Sequence, residues 1–210
     1  KLEATENNET VDEAIAHTYS LVKDSIERQL VSDVPLATFL SGGLDSSIIS
    51  KVASDYYKKK GDVLNTYSVD YTDNDKYFKE SLFQPNKDSD YINLVSNAIG
   101  SLHHNIVLDN SDVAYALEKA AVARCVPGFA DVDSSLLLFC EEVKKNYTVC
   151  LSGECADEIF GGYPWYHRKE ILFEECFPWA RSTAARRSIL KPDFLKNGED
   201  YLQSAYAQTV

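Results

Sequence analysis

The chain of 210 residues lacks methionine and contains only five cysteines. The cysteines are odd in number and form no Cys-x-x-Cys pair, so neither a zinc site nor a disulfide framework is indicated. Basic residues are also scarce. Lys and Arg number 21 against 33 Asp and Glu, a net charge of −12, which argues against a surface for nucleic acid or anionic membranes. No apolar run is long enough to span a membrane and no secretory leader is recognisable, so we expect a cytoplasmic protein.

The rest of the chain alternates between helical and strand patterns. Apolar residues at helical spacing predict a helix over 11–31, and short apolar runs predict strands at 36–40, 63–69, 103–108 and 147–151. Further helices are expected at 112–123 and 134–146, whereas the polar stretch 71–90 is expected to be a surface excursion. Strands separated by helices indicate an α/β fold, a parallel sheet with helices on both faces.

The stretch LATFLSGGLDSS at 36–47 combines a buried strand, a glycine turn and the start of a helix. Unpaired amides at a helix start form an anion site suited to phosphate. Neither the Walker A pattern nor the dinucleotide pattern fits, because the lysine and the third glycine that they need are absent. The loop instead offers hydroxyls and Asp45, a carboxylate that could reach phosphate through Mg²⁺. The simpler alternative is a turn in which Asp45 or Ser46 caps the helix.

A similar pattern follows the fourth strand, where YTVCL runs into SGECADEIFGGY at 152–163. Ligands of open parallel sheets bind beyond the carboxyl ends of the strands, so both Ser-Gly turns could face one ligand. We therefore expect pyrophosphate between 41–43 and 152–153, with Asp45 and Asp157 sharing Mg²⁺. The alternative is that Asp157 and Glu158 only stabilise a helix start.

These motifs carry a family resemblance. SGGLDSS resembles the pyrophosphate loop of the ATP pyrophosphatase (PP-loop) group, and together with LSGECADEIFGGY it is similar to the synthetase domain of the asparagine synthetase family. The block SDVPLATFLSGGLDSSIIS, the pair His103-His104 and FADVDSS around Asp131 belong to the same resemblance, which extends from about 11 to about 170. It implies an adenine nucleotide alpha hydrolase-like fold and a synthetase that activates aspartate as β-aspartyl-AMP, releases pyrophosphate and lets ammonia displace AMP.

The resemblance also implies a role for each matching residue, with ATP and Mg²⁺ as cofactors. Leu40 and Val69 would line the adenine, and Ser152 and Gly153 would contact the AMP part. The expected phosphate ligands are Ser41, Gly42, Gly43 and Ser46; the expected metal ligands are Asp45 and Asp157; the expected acid/base group is Glu154. We expect His103 and His104 to be structural. Cys155 stands where the family generally has a small residue, often glycine.

For domain organisation we expect a polar extension at 1–10, the PP-loop synthetase domain at 11–170 and a truncated helical segment at 171–210. The family's glutaminase domain would precede residue 1 in the full-length protein. Its adenylation lysine would lie further downstream than Lys169, Lys191 or Lys196, so this stretch could be incomplete for catalysis. Aspartate and ammonia are the expected substrates, without nucleic-acid or membrane partners, and a homodimer stays open. The alternatives are a β-lactam synthetase-like or peptide-cyclising amide former, or an ATP-binding module without catalysis.

Overall fold

The computed structural model describes residues 8–79, 86–126, 128–174, 176, 188 and 191–193. The chain divides into two compact units, residues 1–153 and 154–210. Residues 1–7 of the predicted extension, and most of the predicted segment 171–210, lie outside the described residues. Within the described part, no helix is both long and apolar enough to cross a membrane.

The first unit contains four strands and seven helices among its described residues. The strands are β1 (Leu36–Phe39), β2 (Asn65–Tyr71), β3 (Leu102–Leu108) and β4 (Val149–Leu151). The helices are α1 (Val11–Gln29), α2 (Leu44–Lys59), α3 (Asn74–Tyr77), α4 (Asp88–Ile99), α5 (Asn110–Tyr115), α6 (Leu117–Arg124) and α7 (Ala130–Lys144).

The strands form one sheet in the order β3-β2-β1-β4, and every pair is parallel. In the register, Thr38 of β1 pairs with Thr66 of β2 on one side and with Leu151 of β4 on the other. The carboxyl ends of β1 and β4 therefore meet at the same edge, from which both glycine loops leave. The parallel α/β sheet predicted from the sequence is confirmed.

Helices cover both faces of this sheet. On one face, Leu36 and Leu64 pack with Ile26 of α1 and Ala53 of α2. On the other face, Ala37 and Tyr67 pack with Phe139 and Val143 of α7. Successive strand residues point to opposite faces, so the neighbours Leu36 and Ala37 serve different halves of the core.

Helix α1 begins as the sequence predicts, because Thr10 and Glu13 form a capping box. Its predicted apolar face is only partly used: Ile26 is buried, whereas Val11 is 76% and Tyr19 is 67% exposed. Only the carboxyl-terminal turns of α1 contact the core, so the regular apolar spacing overstates the buried face.

The prediction of a surface excursion at 71–90 is wrong at both ends. Tyr71 is the last residue of β2, and α4 begins at Asp88. Acidic residues in the first turn favour this helix start. Ile92 and Ile99 are buried, and Ser54 of α2 donates a hydrogen bond to the Ile99 carbonyl at 2.8 Å. The predicted helix 112–123 is divided into α5 and α6, which meet at Ala116, and the helix predicted from 134 begins at Ala130.

The described residues of the second unit include three short helical segments near its start. These are α8 (Ala156–Phe160), a 3₁₀ turn (Pro164–His167) and α9 (Lys169–Leu172). The ring of Tyr163 stacks on that of Trp165, with centroids 4.3 Å apart.

Candidate active site

The loop after β1 leads directly into the start of α2. Its N-cap is Gly43, which has no side chain to accept hydrogen bonds from the first helical amides. The alternative that Asp45 or Ser46 is the cap is therefore wrong, since both lie inside the helix. Ser46 Oγ lies 3.0 Å from Ser41 Oγ and donates to the Gly43 carbonyl at 3.1 Å. These hydroxyl contacts stabilise the loop. Because Gly43 has no capping side chain, the first amides of α2 can donate to another acceptor.

Gly42 has a backbone conformation and a close packing environment that require glycine at this position of the loop. Its φ of +81° is in the left-handed region, and a Cβ there would lie 2.8 Å from the carbonyl oxygen of Asp88. The same Cβ would lie 3.1 Å from Tyr91 Cβ and 3.3 Å from the Ile92 amide nitrogen. The first turns of α4 therefore pack closely against the loop, and only glycine fits at position 42.

The loop after β4 approaches the first loop within the same unit. A Cβ on Gly153 would lie 3.1 Å from Asp45 Cβ and 3.2 Å from the Ser46 amide nitrogen. Ser152, which precedes Gly153, is exposed. The tertiary structure therefore brings Gly153 to the start of α2, as expected for two loops at the same edge of a parallel sheet.

Of the two residues predicted to line adenine, Leu40 directly follows β1 and Val69 lies on the neighbouring strand β2. The Leu40 amide donates to the Tyr67 carbonyl at 2.8 Å, which ties the end of β1 to β2. Leu40 is fully buried, whereas Val69 is 37% exposed. Val69 thus presents free surface in this structure, and Leu40 contributes mainly to the packing beneath the loop.

A cavity of about 270 Å³ opens beside Val69, between the carboxyl ends of β2 and β3 and the start of α4. Its wall combines apolar and polar side chains, with Ser68, Asp70 and Asn105 among the polar ones on the strands. Ile92 closes one side, and its backbone also presses on Gly42. The cavity and the first loop therefore share one structural element, α4. A concave site with converging polar groups is the usual setting of a small-molecule site.

The pair His103-His104 belongs to β3, as the sequence predicts. Their side chains point to opposite faces. His103 contacts the hydroxyls of Thr66 and Ser68, whereas the His104 ring stacks on Tyr67 with centroids 4.6 Å apart. Burial lowers the pKa of His103 below its ordinary value, and the neighbouring His104 adds to this shift. His103 also lines the cavity, a position that the strand pattern alone did not reveal.

Sequence reasoning missed the contribution of α4 to the site. Asp88 and Ile92 contact Gly42, although the polar letters around 88 suggested an excursion. The spacing of Ile92, Ser96 and Ile99 before Gly100, a left-handed helix end, is the signal that could have identified the helix. No local pattern in the sequence predicted that α4 contacts the loop after β1.

Glu154 and Asp157 belong to the second unit, where Glu154 is exposed and Asp157 is half-buried. Asp157 lies in the first turn of α8, and its carboxylate occupies the space where a Cβ on Gly162 would be. Cys155 has φ of +71° at the start of α8, a conformation that favours glycine.

Tyr163 donates a hydrogen bond to Glu158 at 2.8 Å. The accepting carboxylate raises the pKa of Tyr163 to about 12. Because Glu158 lies in the first turn of α8, this contact fastens the segment after Gly162 to the helix start.

A metal site of three or more protein ligands is absent from the described part of the chain. Mg²⁺ does not need one, because it usually combines one or two carboxylates with phosphate oxygens and waters. Asp45 is half-buried in the first turn of α2, next to Gly153 and the loop hydroxyls, and its carboxylate suits this chemistry.

The parallel sheet, the helices on both faces and the glycine loop at the end of β1 define an α/β protein of the PP-loop ATP pyrophosphatase fold. The family model described as asparagine synthase matches residues 17–209. The chain therefore belongs to the asparagine synthase family.

Individual relatives agree with this assignment. Asparagine synthetase [glutamine-hydrolyzing] 3 of Bacillus subtilis is 48% identical over the whole chain, which covers 34% of that protein. Asparagine synthetase [glutamine-hydrolyzing] 1 of the same organism is 32% identical over 74% of the chain and 22% of the relative. Asparagine synthetase B [glutamine-hydrolyzing] of Escherichia coli is 29% identical over 70% of the chain and 27% of the relative. The chain thus spans about a third or less of the length of these relatives.

Proposed function

We propose that this chain is the ATP-dependent, amide-forming part of a glutamine-hydrolysing asparagine synthetase. It activates the β-carboxylate of aspartate with ATP, pyrophosphate leaves, and ammonia displaces AMP to form asparagine. The observation that carries this proposal is the approach of Gly153 to the first turn of α2, where a Cβ added to Gly153 would lie 3.2 Å from the Ser46 amide nitrogen. The whole-chain identity of 48% to a protein named asparagine synthetase favours aspartate over other acids.

The loop chemistry fits a pyrophosphate leaving group. Amides at the start of a 16-residue helix attract phosphate oxygens through the helix dipole. Gly42 and Gly43 let the backbone approach the phosphates closely, and the hydroxyls of Ser41 and Ser46 would have to turn from their bonds within the loop to donate to phosphate oxygens. Ser152 and Gly153 would hold the AMP side of the nucleotide, and Leu40 and Val69 would lie at its adenine end.

Asp45 and Asp157 are the proposed ligands of Mg²⁺. When bound, the metal neutralises charge that develops on the leaving pyrophosphate. Asp45 would hold it against the start of α2, where a carboxylate without a cation would repel phosphate. Asp157 belongs to the second unit, so its share of the site is part of the proposal.

Glu154 is the proposed acid/base group. Ammonia that attacks β-aspartyl-AMP gains a positive charge and must lose a proton before AMP departs. An exposed carboxylate directly after Gly153 in the chain can accept that proton. The full-length protein would supply the ammonia from a glutaminase domain, with aspartate and ATP as the other substrates. A cytoplasmic location and a homodimer belong to the same proposal.

The test is aspartate-dependent exchange of labelled pyrophosphate into ATP in the presence of Mg²⁺. It is run on this chain and on a chain extended to the length of its relatives. Asp45→Asn is the test variant. Asp55→Asn is the matched control, because it makes the same charge change on the same helix at an exposed ion pair with Lys51.

Exchange that requires aspartate, is lost in Asp45→Asn and is kept in Asp55→Asn would support β-aspartyl adenylation. Exchange only in the extended chain would mean that residues outside this stretch complete the site. Exchange with a different carboxylic acid would favour a related amide former. ATP binding without exchange in either chain would contradict the enzymatic proposal and leave an ATP-binding module.

A further inference from the structure

The side chain of His103 stands at the centre of a row of hydroxyls between β2, β3 and α4. Its Nε2 lies 3.0 Å from Ser68 Oγ, and Ser68 Oγ donates to Asn105 Oδ1 at 3.1 Å. A hydroxyl carries one proton, so Ser68 can only accept from His103. Nε2 of His103 therefore holds the ring proton.

The other ring nitrogen fixes the direction of the remaining bonds. Nδ1 of a neutral imidazole with a protonated Nε2 accepts a hydrogen bond, here from Thr66 Oγ1 at 2.9 Å. Thr66 in turn accepts from Ser101 Oγ at 3.1 Å, and Ser101 accepts from Ser96 Oγ of α4 at 3.1 Å. The hydroxyl row therefore runs in one direction from α4 through His103 to Asn105 in the middle of β3, and it fits a neutral ring.

Protonation of His103 disturbs this order. The imidazolium would donate from Nδ1, so the hydroxyls of Thr66 and Ser101 would have to turn round. Thr66 is fully buried and Ser96 is 6% exposed, so water cannot easily replace a lost partner. Burial already opposes the charged form of the ring, which lowers the pKa of His103.

The hydroxyl row ends at the cavity beside Val69, a residue of the proposed adenine site. Ser68 and Asn105 form part of the wall of the cavity of about 270 Å³, and Ser68 lies between Tyr67 and Val69 on β2. The Tyr67 carbonyl holds the Leu40 amide, one residue before the phosphate loop. A change at His103 therefore reaches both the cavity wall and the strand end that carries the loop.

Two charged groups that line the cavity with His103 have hydrogen-bond or ion-pair partners of their own. Asp70 at the end of β2 accepts from the Tyr71 amide and from the Asn74 side chain, at 2.8 and 2.7 Å. Lys87 pairs with Asp75 at 2.6 Å. The titratable and charged groups that line the cavity together with His103 are Asp70 and Tyr71 of β2, Lys87 before α4 and Asp88 of α4, and His104 is its neighbour on β3.

We propose that His103 is a positioning residue for the nucleotide site: its neutral ring holds Ser68 and Asn105 in place, and its protonation weakens ATP binding. This inference rests on the proposed function, because ATP affinity is its readout. If bound ATP requires the neutral ring, the affinity falls by up to about tenfold for each pH unit below the pKa of free His103.

The experiment measures the Kd of Mg-ATP for this chain between pH 7.5 and pH 5 by calorimetry. His103→Gln keeps a donor near Ser68 but does not titrate. His104→Gln is the matched control, because the adjacent ring faces Tyr67 and Asn65 on the opposite side of the sheet. Protonation of ATP itself affects all three proteins equally and cancels in their ratio.

We expect the affinity of the wild type and of His104→Gln to fall further than that of His103→Gln across this range, by up to about tenfold for each pH unit below the pKa of His103. Equal pH profiles in all three proteins would overturn the inference, as would a wild-type affinity that rises at low pH. Absence of ATP binding at every pH would instead contradict the proposed function.

A second measurement does not depend on how the variants fold. Nitrogen-15 NMR of the imidazole in the wild-type chain is expected to show a proton on Nε2 of His103 and a pKa below the ordinary histidine value. A proton on Nδ1 at neutral pH would contradict the directed hydroxyl row.

Discussion

Gly42 provides the sharpest test of how the phosphate loop is held. Gly42→Ala forces an L side chain into φ of +81°, which costs about 1–2 kcal/mol in the left-handed region. The added Cβ also lies 2.8 Å from the Asp88 carbonyl oxygen, a backbone atom that can move only with α4. Such overpacking adds about 1–3 kcal/mol, so the free energy of unfolding should fall by about 2–5 kcal/mol.

Gly61→Ala is the matched control for backbone strain. Gly61 has almost the same φ, +79°, and a Cβ there meets nothing within 4 Å. It should therefore lose only the strain of about 1–2 kcal/mol. The difference between the two variants, about 1–3 kcal/mol, measures the pressure of α4 on the loop alone.

Thermal unfolding followed by far-UV circular dichroism checks this prediction. Tryptophan fluorescence is unsuitable, because Trp165 and Trp179 both belong to the second unit. At about 2–4 °C per kcal/mol, Gly42→Ala should melt about 2–12 °C below Gly61→Ala. Equal melting temperatures would refute the packing of α4 against the loop, and a Gly42→Ala variant with unchanged ATP affinity would refute the close backbone approach to phosphate.

Two further predictions concern the core and the thiols. Thr38→Val removes the partner of the fully buried Ser50 hydroxyl, 2.8 Å away, and should cost about 1–3 kcal/mol by urea unfolding. Adding Ser50→Ala should cost less than the sum of the single changes, whereas strict additivity would contradict a direct bond between them. Burial raises the pKa of Cys150 to about 11, so a disulfide reagent at pH 8 should modify the exposed Cys125 and Cys155 first. Cys150→Ala should leave the amplitude of the fast phase of that reaction unchanged. A fast phase smaller by one thiol would contradict the prediction that Cys150 reacts slowly.

Local patterns of the sequence determined the class of fold and the first loop. Hydrophobic periodicity and glycine turns act within a few residues, so the alternation of strands and helices, and the turn at Gly42 and Gly43, could be predicted without a partner in space. The family resemblance was recognised from contiguous letters for the same reason. The parallel direction of the strands followed from the helices that separate them along the chain.

Contacts between distant residues were decided only by the tertiary structure. The pressure of Asp88 on Gly42 and the approach of Gly153 to Ser46 depend on how α4 and β4 pack, and no local pattern encodes those distances. The exposure of the first turns of α1 and the hydroxyl row through His103 were likewise decided by tertiary packing. Periodicity tells which side of an element can be buried, whereas burial itself, and the proton on a particular ring nitrogen, depend on which neighbours the completed fold supplies.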